Sequence, residues 1–373
     1  MALVLNEEQQ MLRDSARDFL AQRAPVSHLR QIRDSGNEVG FSRELWQEMV
    51  DMGWTAILVP EEHGGLGYGY TGLGLVLEET GRTLTPSPLL TTALTATSAV
   101  VLAGSREQRD RLLPALAAGE ILLSLACDEA SLHAPGTVAT RAAAHDGGYR
   151  LDGRKIAVLD GAAADTFIVS AATGEGVSLF LVPATTAGVT VEPYPALDIS
   201  VAANVTFDRV ELPASALLGE LHEGQALLDR LLDIARIGSA AELLGVAQEA
   251  FERTMDYLKE RKQFGVPIGS FQALQHRAAQ LHAEIELSKS VVLKALQTLD
   301  EGTEDCAELA SLAKAKLSTT AHRATTEAIQ MHGGIGMTDD FEIGFFLKRC
   351  RILETFYGDR NFHLDRYARL RGY

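Results

Sequence analysis

Two short segments in the last third of the sequence contain residues suited to holding a large ligand. The first, Gln330–Gly336, follows a long helical pattern and contains three glycines. Glycine permits positive φ and has no Cβ, so the backbone of such a run can approach a bound molecule closely. The second, Arg261–Ile268 followed by Phe271 and Gln272, lies about 70 residues upstream and contributes a permanently charged arginine. A helix C-terminus followed by a tight turn would explain the glycine run equally well.

The composition is that of a globular protein large enough for two or three domains: 373 residues, of which 46% are hydrophobic and 23% charged. No apolar run reaches the roughly 18–20 residues that a membrane-spanning helix needs. Residues 1–8 lack the basic start of a secretory signal, and three scattered cysteines predict neither a disulfide framework nor a metal site. We therefore expect a cytoplasmic protein. The net charge of −16 opposes nucleic-acid binding, because phosphates would be repelled.

Three regions of the sequence differ in pattern, and together they predict an α+β protein. Residues 1–118 have the apolar spacing of helices. Residues 119–220 contain short strand-like runs separated by Gly, Asp and Pro, as expected for an antiparallel β-barrel or sandwich. Residues 221–373 predict long helices joined by short loops, which favours a four-helix bundle. The predicted helices of this last region are 222–262, 270–301, 304–332 and 339–357.

Motifs spread over nearly the whole chain resemble those of the acyl-CoA dehydrogenase family. The β-region matches less well than the two helical regions. The order of the three regions is also that of the family, so the resemblance implies its fold: an N-terminal helical domain, a central β-domain and a C-terminal helical bundle. The matching segments are Glu61–Gly67, Leu77–Arg82, Pro86–Pro88, Tyr257–Gly265, Phe271–Gln272 and Gln330–Gly336.

The resemblance implies an FAD site shared between two chains. Arg261 would reach the flavin pyrophosphate of a neighbouring subunit, since its planar fork suits that anion. Phe264 and Gln272 would line the same cofactor. Gln330 with Gly333 and Gly334 would let the backbone pack on the adenosine half. A shared site implies at least a dimer, and usually a homo- or hetero-tetramer.

The implied reaction is α,β-desaturation of an acyl-CoA thioester. A carboxylate removes the α-proton, and the β-hydrogen leaves as hydride to flavin N5. Electron-transfer flavoprotein is the expected acceptor. Asp233 and Arg236 occupy the position of an Asp-x-x-Arg pair that lies near the pantetheine arm in the family, and their i,i+3 spacing places them on one helix face. A plain surface ion pair would explain this spacing equally well.

The family's catalytic glutamate is missing from this sequence. In the commonest arrangement the base belongs to a Tyr-Glu-Gly-Thr turn, where this chain has Phe356–Asp359, so that Tyr357 takes the glutamate's place. A second arrangement puts the base just before the substrate arginine, and Ala235 occupies that position. Neither of the two family positions holds a carboxylate.

The β-region also departs from the family where the flavin ring should lie. Asp128 replaces a threonine whose hydroxyl contacts the isoalloxazine, and the Gly-Ser-Asp that should follow is not recognisable. The aromatic segment that covers the ring becomes Val158–Gly161. An anionic Asp128 beside the flavin would oppose negative charge at N1, unless it is protonated or turned away.

Several explanations of the missing base remain open. The chain is a non-catalytic subunit that completes a partner's FAD site, as in the heteromeric family members of bacterial sterol side-chain degradation, or a displaced carboxylate serves as base. Glu242, two helical turns beyond Ala235, and Asp359 are the candidates, with a helix–helix ion pair and a helix cap as the alternative roles. Tyr357 is a poor base at neutral pH. An oxidase acting on a carrier-protein thioester would need a basic docking patch, which the sequence does not show.

Overall fold

The computed structural model describes residues 3–373 and divides into two compact units. One unit contains residues up to 31, 74–85 and 236–373, and the other contains residues 32–73 and 86–235. The helices are α1 (Glu7–Arg23), α2 (Val26–Asp34), α3 (Arg43–Asp51), α4 (Tyr70–Thr83), a π-helix (Leu89–Ala96), α5 (Thr97–Ala103), α6 (Arg106–Ala117), α7 (Gly224–Glu260), α8 (Gln272–Glu301), α9 (Cys306–His332), α10 (Ile343–Thr355) and α11 (Arg360–Leu370).

In the first unit, α9 is the central helix of the C-terminal bundle and packs against α8, α10 and α11. Residues 236–247 of α7 are buried on every side. Close approach of α4 to α7 depends on Gly245, because a Cβ there would lie 1.8 Å from the carbonyl oxygen of Glu78. The predicted bundle helices are confirmed, with ends that shift by no more than two residues except the start of the last, which lies four residues later.

The second unit contains one eight-stranded sheet in the order β6-β7-β3-β2-β4-β5-β8, with β1 beside β4. Its pairs are antiparallel except β1–β4 and β2–β4, which are parallel. The alternating sequence patterns did not predict these two pairs. The strands are β1 (Leu123–Ala126), β2 (Arg141–His145), β3 (Gly148–Val158), β4 (Thr166–Ala172), β5 (Val177–Pro183), β6 (Val189–Pro195), β7 (Val201–Pro213) and β8 (Leu217–Leu218); β9 (Lys262–Gln263) and β10 (Val266–Pro267) form a hairpin in the first unit.

The core of the sheet consists of inward residues of its central strands, including Phe167, Phe180 and Phe207, which are at most 2% exposed. Strand β6, at one edge of the sheet, is largely exposed and contains Pro193 and Pro195. Proline cannot donate a backbone hydrogen bond, so these residues are compatible with an edge strand and discourage the addition of a further strand.

Candidate functional site

The arginine segment folds into a β-hairpin at the end of α7. Strands β9 and β10 pair through Gln263 and Val266, and the two residues between them have φ of 53° at Phe264 and 83° at Gly265. Two consecutive left-handed residues form the tight turn that favours hairpins. The turn projects Phe264 into solvent at 91% exposure, with its ring 6.1 Å from that of Phe271 in an edge-on arrangement.

The glycine run follows directly on α9. Gly333 has φ 66° and ψ −142°, a conformation that suits glycine. A Cβ built on Gly333 or Gly334 would meet no atom within 4 Å. Internal packing therefore does not require Gly334, and open space lies beside this backbone.

The two segments converge, because the helix ends from which they start are in contact. The ring of Tyr257, on the last turn of α7, stacks on that of His332 at 4.2 Å. The Tyr257 hydroxyl also donates to the carbonyl oxygen of His332 at 3.3 Å. Phe341 packs against both rings, at centroid distances of 6.3 and 5.0 Å. Burial lowers the pKa of His332, so this aromatic cluster favours the neutral imidazole.

The surface that these segments form combines an unpaired cation with open backbone. Arg261, Gln272 and Gln330 are exposed, and no carboxylate among residues 3–373 pairs with the Arg261 guanidinium. An uncompensated arginine beside open glycine backbone can accept a pyrophosphate. Exposed apolar side chains lie on or next to the same two segments: Phe264, Val266, Phe271, Ile335 and Met337.

The β-domain residues that the family resemblance places beside the flavin ring make hydrogen bonds or pack within their own chain instead. Nδ1 of His133 lies 2.8 Å from Oδ1 of Asp128. Asp160, in a left-handed conformation, accepts a hydrogen bond from Oγ1 of Thr91 at 2.5 Å. Val158 is 2% exposed. The segments that should contact an isoalloxazine are thus occupied by internal contacts.

A buried ion pair fixes the same part of the sheet domain. Nζ of Lys155, which is fully buried, donates to Glu129 at 2.6 Å and to Ser170 at 2.9 Å. Burial lowers the pKa of Lys155 despite the neighbouring carboxylate. Burial alone would raise the pKa of Glu129, but hydrogen bonds from Lys155 and from the Thr140 backbone lower it. The charged pair therefore holds the loop that begins at Asp128 in one conformation.

The turn at residues 355–359 is held by buried basic side chains. Tyr357, with φ 60° and 6% exposure, accepts hydrogen bonds at its carbonyl oxygen from Nε of Arg236 (3.0 Å) and Nε2 of His363 (3.1 Å). Nζ of Lys314, fully buried, lies 2.7, 3.2 and 3.3 Å from the carbonyl oxygens of Leu353, Glu354 and Gly358. Burial, and after it the charge of Arg236, lowers the pKa of Lys314 to about 7.

The carboxylates that could replace the missing base are both engaged. Glu242 is 3% exposed and accepts from Nε of Arg349 at 2.7 Å, so the predicted helix–helix ion pair is confirmed. Asp359 caps α11 by accepting from the backbone of Phe362 at 2.8 Å, which confirms the predicted cap. Ala235 is fully buried.

The predicted substrate residues are buried, and several structural residues escaped the sequence analysis. Asp233 and Arg236 are 4% and 1% exposed, which excludes the plain surface ion pair. Nothing in the sequence separates Arg349 or His363 from surface residues of α10 and α11. Lys314 does leave a signal, because it is a lone charge on an apolar helix face between Ala310 and Leu317.

Among residues 3–373 no helix is long and apolar enough to cross a membrane, and no cluster of His, Cys, Asp and Glu could hold a metal ion.

Family models cover most of the sequence. The N-terminal, middle and C-terminal domains of acyl-CoA dehydrogenase match residues 6–120, 128–210 and 222–370.

Curated relatives match almost end to end. "Probable acyl-CoA dehydrogenase YngJ" of Bacillus subtilis is 34% identical over 367 residues, covering 95% of each chain. "Caffeyl-CoA reductase-Etf complex subunit CarC" of Acetobacterium woodii is 27% identical over 367 residues and covers 95% of this chain and 96% of its own.

Solved structures show the same fold. A variant of the "Tcur3481-Tcur3483 steroid ACAD" is 32% identical with a TM-score of 0.90, covering 98% of this chain and 97% of its own. The "ChsE4-ChsE5 complex from Mycobacterium tuberculosis" contains a chain 25% identical with a TM-score of 0.90 and full coverage of both chains. With three family models along its length and relatives above 30% identity, this chain belongs to the acyl-CoA dehydrogenase family, whose function is FAD-dependent dehydrogenation of acyl-CoA thioesters.

Proposed function

We propose that this chain acts in FAD-dependent acyl-CoA dehydrogenation as one subunit of a hetero-oligomer whose partner subunit supplies the catalytic base. The proposal rests on the residues found at the positions where the family has its catalytic base. Tyr357 and Ala235 stand at the two family positions, and the nearby carboxylates of Glu242 and Asp359 are an ion pair and a helix cap. A base must reach the α-proton of the substrate. Ala235 has no basic group, and the carboxylates of Glu242 and Asp359 point to Arg349 and to the N-terminus of α11.

The intact part of the site is the part that would serve a neighbouring chain. Arg261 would hold the pyrophosphate, Phe264 and Gln272 would line the nucleotide, and Gln330 with Gly333–Gly334 would bring backbone onto the adenosine half. When bound, FAD supplies the hydride acceptor. These residues bind and orient the cofactor, and the exposed apolar side chains beside them exclude water once a second chain covers them.

The altered part of the site is the part that would serve the chain's own flavin. The internal contacts of Asp128 and Asp160 leave their side chains turned towards His133 and Thr91. We therefore propose one FAD for each pair of unlike chains.

Arg236 donates a hydrogen bond to the carbonyl oxygen of Tyr357, so the structure supports a role for Arg236 in fixing the turn at 355–359. A direct contact of Asp233 or Arg236 with the pantetheine arm remains a prediction.

The comparisons support the finer features of this proposal. Two structural neighbours are named as pairs of proteins, and one of these is called a steroid ACAD, which favours a heterotetramer acting on a bulky acyl-CoA. A relative named as part of an Etf complex favours electron-transfer flavoprotein as acceptor. Three buried cysteines, none of which forms a disulfide, fit the reducing cytoplasm.

The test is a comparison of the chain produced alone with the chain produced beside candidate partner subunits. We expect little visible flavin absorbance and no turnover from the chain alone, and one FAD per two chains with turnover from the complex. One FAD per chain together with acyl-CoA oxidation by the lone, homomeric protein would overturn the proposal.

The role of Glu242 has its own prediction. We expect Glu242→Gln to lower the free energy of unfolding by roughly 1–3 kcal/mol, because Arg349 loses the charge that compensates it in a buried position. Turnover of the assembled enzyme should stay within about tenfold of wild type. Denaturant unfolding and steady-state kinetics on the same preparation measure the two effects, and abolished turnover with unchanged stability would identify Glu242 as the base.

A further inference from the structure

The unit that contains the sheet has a cleft of ≈ 560 Å³ that shares no residue with the dehydrogenase site. It lies between the end of α2 with its following turn and the connection from β6 to β7. Its volume falls within the roughly 300–1,000 Å³ of small-molecule sites. The apolar residues of its lining are Ile32, Pro193, Tyr194, Pro195, Ala196, Ile199 and Val201.

Both walls of the cleft are fixed before any ligand binds. On the helix side, Oδ1 of Asn37 accepts from the backbone of Val39 and Gly40, and its Nδ2 donates to the carbonyl of Phe41. Gly40 packs so closely on the other wall that a Cβ there would lie 2.8 Å from the backbone nitrogen of Val201. A cleft with preset walls loses little conformational entropy on binding.

The second wall stores backbone strain at a residue that lines the cleft. Ile199 has φ 77°, a left-handed conformation that is rare for a β-branched side chain. The turn is held by Asp198, whose carboxylate accepts from the backbone and the hydroxyl of Ser200, and by the bond from the Ala196 backbone to the Ser200 carbonyl. Strain that the surroundings enforce in this way is typical of ligand sites.

The polar groups of the cleft define the charge of its ligand. The Tyr194 hydroxyl makes no hydrogen bond within residues 3–373, and partial burial raises its pKa, so it remains a protonated donor. Arg33 is already paired with Asp34 at 2.7 Å, and Glu38 adds a negative charge to the lining. An anion would therefore find no uncompensated cation, whereas a neutral ring compound would gain apolar contact.

We propose that this cleft binds a neutral, ring-bearing small molecule that offers one hydroxyl or carbonyl group to the Tyr194 hydroxyl. The rings pack between the two prolines and Ile199. The site is distinct from the proposed dehydrogenase site, since its lining contains no residue of the glycine segment or of the turn at 355–359.

The experiment titrates the purified full chain, or its complex with the partner, with 2-naphthol and follows heat or naphthol fluorescence. We expect saturable one-to-one binding that Tyr194→Phe weakens by about two- to tenfold, the value of one neutral hydrogen bond. Ala196→Trp fills the cleft and should weaken binding by at least about tenfold, because close-packed space cannot hold both ring systems.

Leu197→Trp is the matched control, because Leu197 is the next residue, is 57% exposed and does not line the cleft. Melting temperatures of all variants establish that each is folded. Equal affinities of the Ala196→Trp and Leu197→Trp variants would overturn the site. Tighter binding of 2-naphthoate than of 2-naphthol would overturn the neutral ligand class, and absence of saturation would overturn both.

Discussion

Substitution of Arg261 by alanine is expected to remove most of the bound flavin from the assembled enzyme. The guanidinium has no acid partner among the described residues, so it is available for a pyrophosphate. A hydrogen bond between charged groups contributes about 1.5–3 kcal/mol, which corresponds to a roughly 10- to 150-fold weaker affinity for FAD. Flavin absorbance per protein after gel filtration, followed by titration of the apo-complex with FAD, measures the loss.

Lys259→Ala provides the control for this experiment. Lys259 lies two residues before Arg261 on the last turn of α7, is exposed, and pairs with Asp256 at 3.1 Å. Its loss should leave flavin content unchanged. Equal flavin content in the Arg261→Ala and Lys259→Ala complexes would show that the arginine segment does not hold the nucleotide, and the shared-site proposal would fail with it.

A second large effect is expected from the pH dependence of stability at Lys314. Its pKa is about 7 in the folded chain, because the amine is fully buried, and ordinarily 10.5. Between these values the unfolded chain binds the proton that the folded chain has released. Stability therefore rises with pH from about 7 to 10.5, by at most about 1.4 kcal/mol per pH unit for one group.

Replacing Lys314 by methionine should abolish this contribution. Urea unfolding of wild type and Lys314→Met across that pH range should give a difference in free energy that grows in favour of wild type as pH rises. Lys289→Met, at an exposed ion pair with Glu286, should follow wild type at every pH. Parallel curves for wild type and Lys314→Met would mean that the buried amine does not titrate there.

Most of the helices could be predicted from the sequence, because the apolar periodicity of a helix is a local pattern. The bundle helices were predicted to within a few residues, as α8 at Gln272–Glu301 shows against the predicted 270–301. The predicted last helix, 339–357, corresponds to α10, and the separate helix α11 that follows it was not predicted. The break depends on the left-handed pair Tyr357–Gly358 and on the Asp359 cap, whose geometry a residue pattern does not contain.

The site was accessible from sequence only where its residues are contiguous. The turn at Gly333 is local, and it follows the helix end at His332 as predicted, whereas the hairpin around Phe264 was not predicted. The partner of Glu242 was not predicted either, because Arg349 is 107 residues away in the chain. The contacts of Asp128 and Asp160 with their own chain likewise depend on tertiary folding, since Asp160 pairs with Thr91, 69 residues away. Only the ion pairs and hydrogen bonds formed in the tertiary structure therefore distinguish a catalytic charged residue from a structural one.

The exposed aromatic turn also has a consequence for how the chain is handled in the cell. Phe264, Phe271, Ile335 and Met337 form apolar surface that one chain does not bury by itself. In the proposed hetero-oligomer a second chain would cover this surface, whereas unassembled copies would present it to chaperones and proteases. The amount of the chain should therefore follow the synthesis of its companion, and overproduction from a single gene should yield aggregated or degraded material.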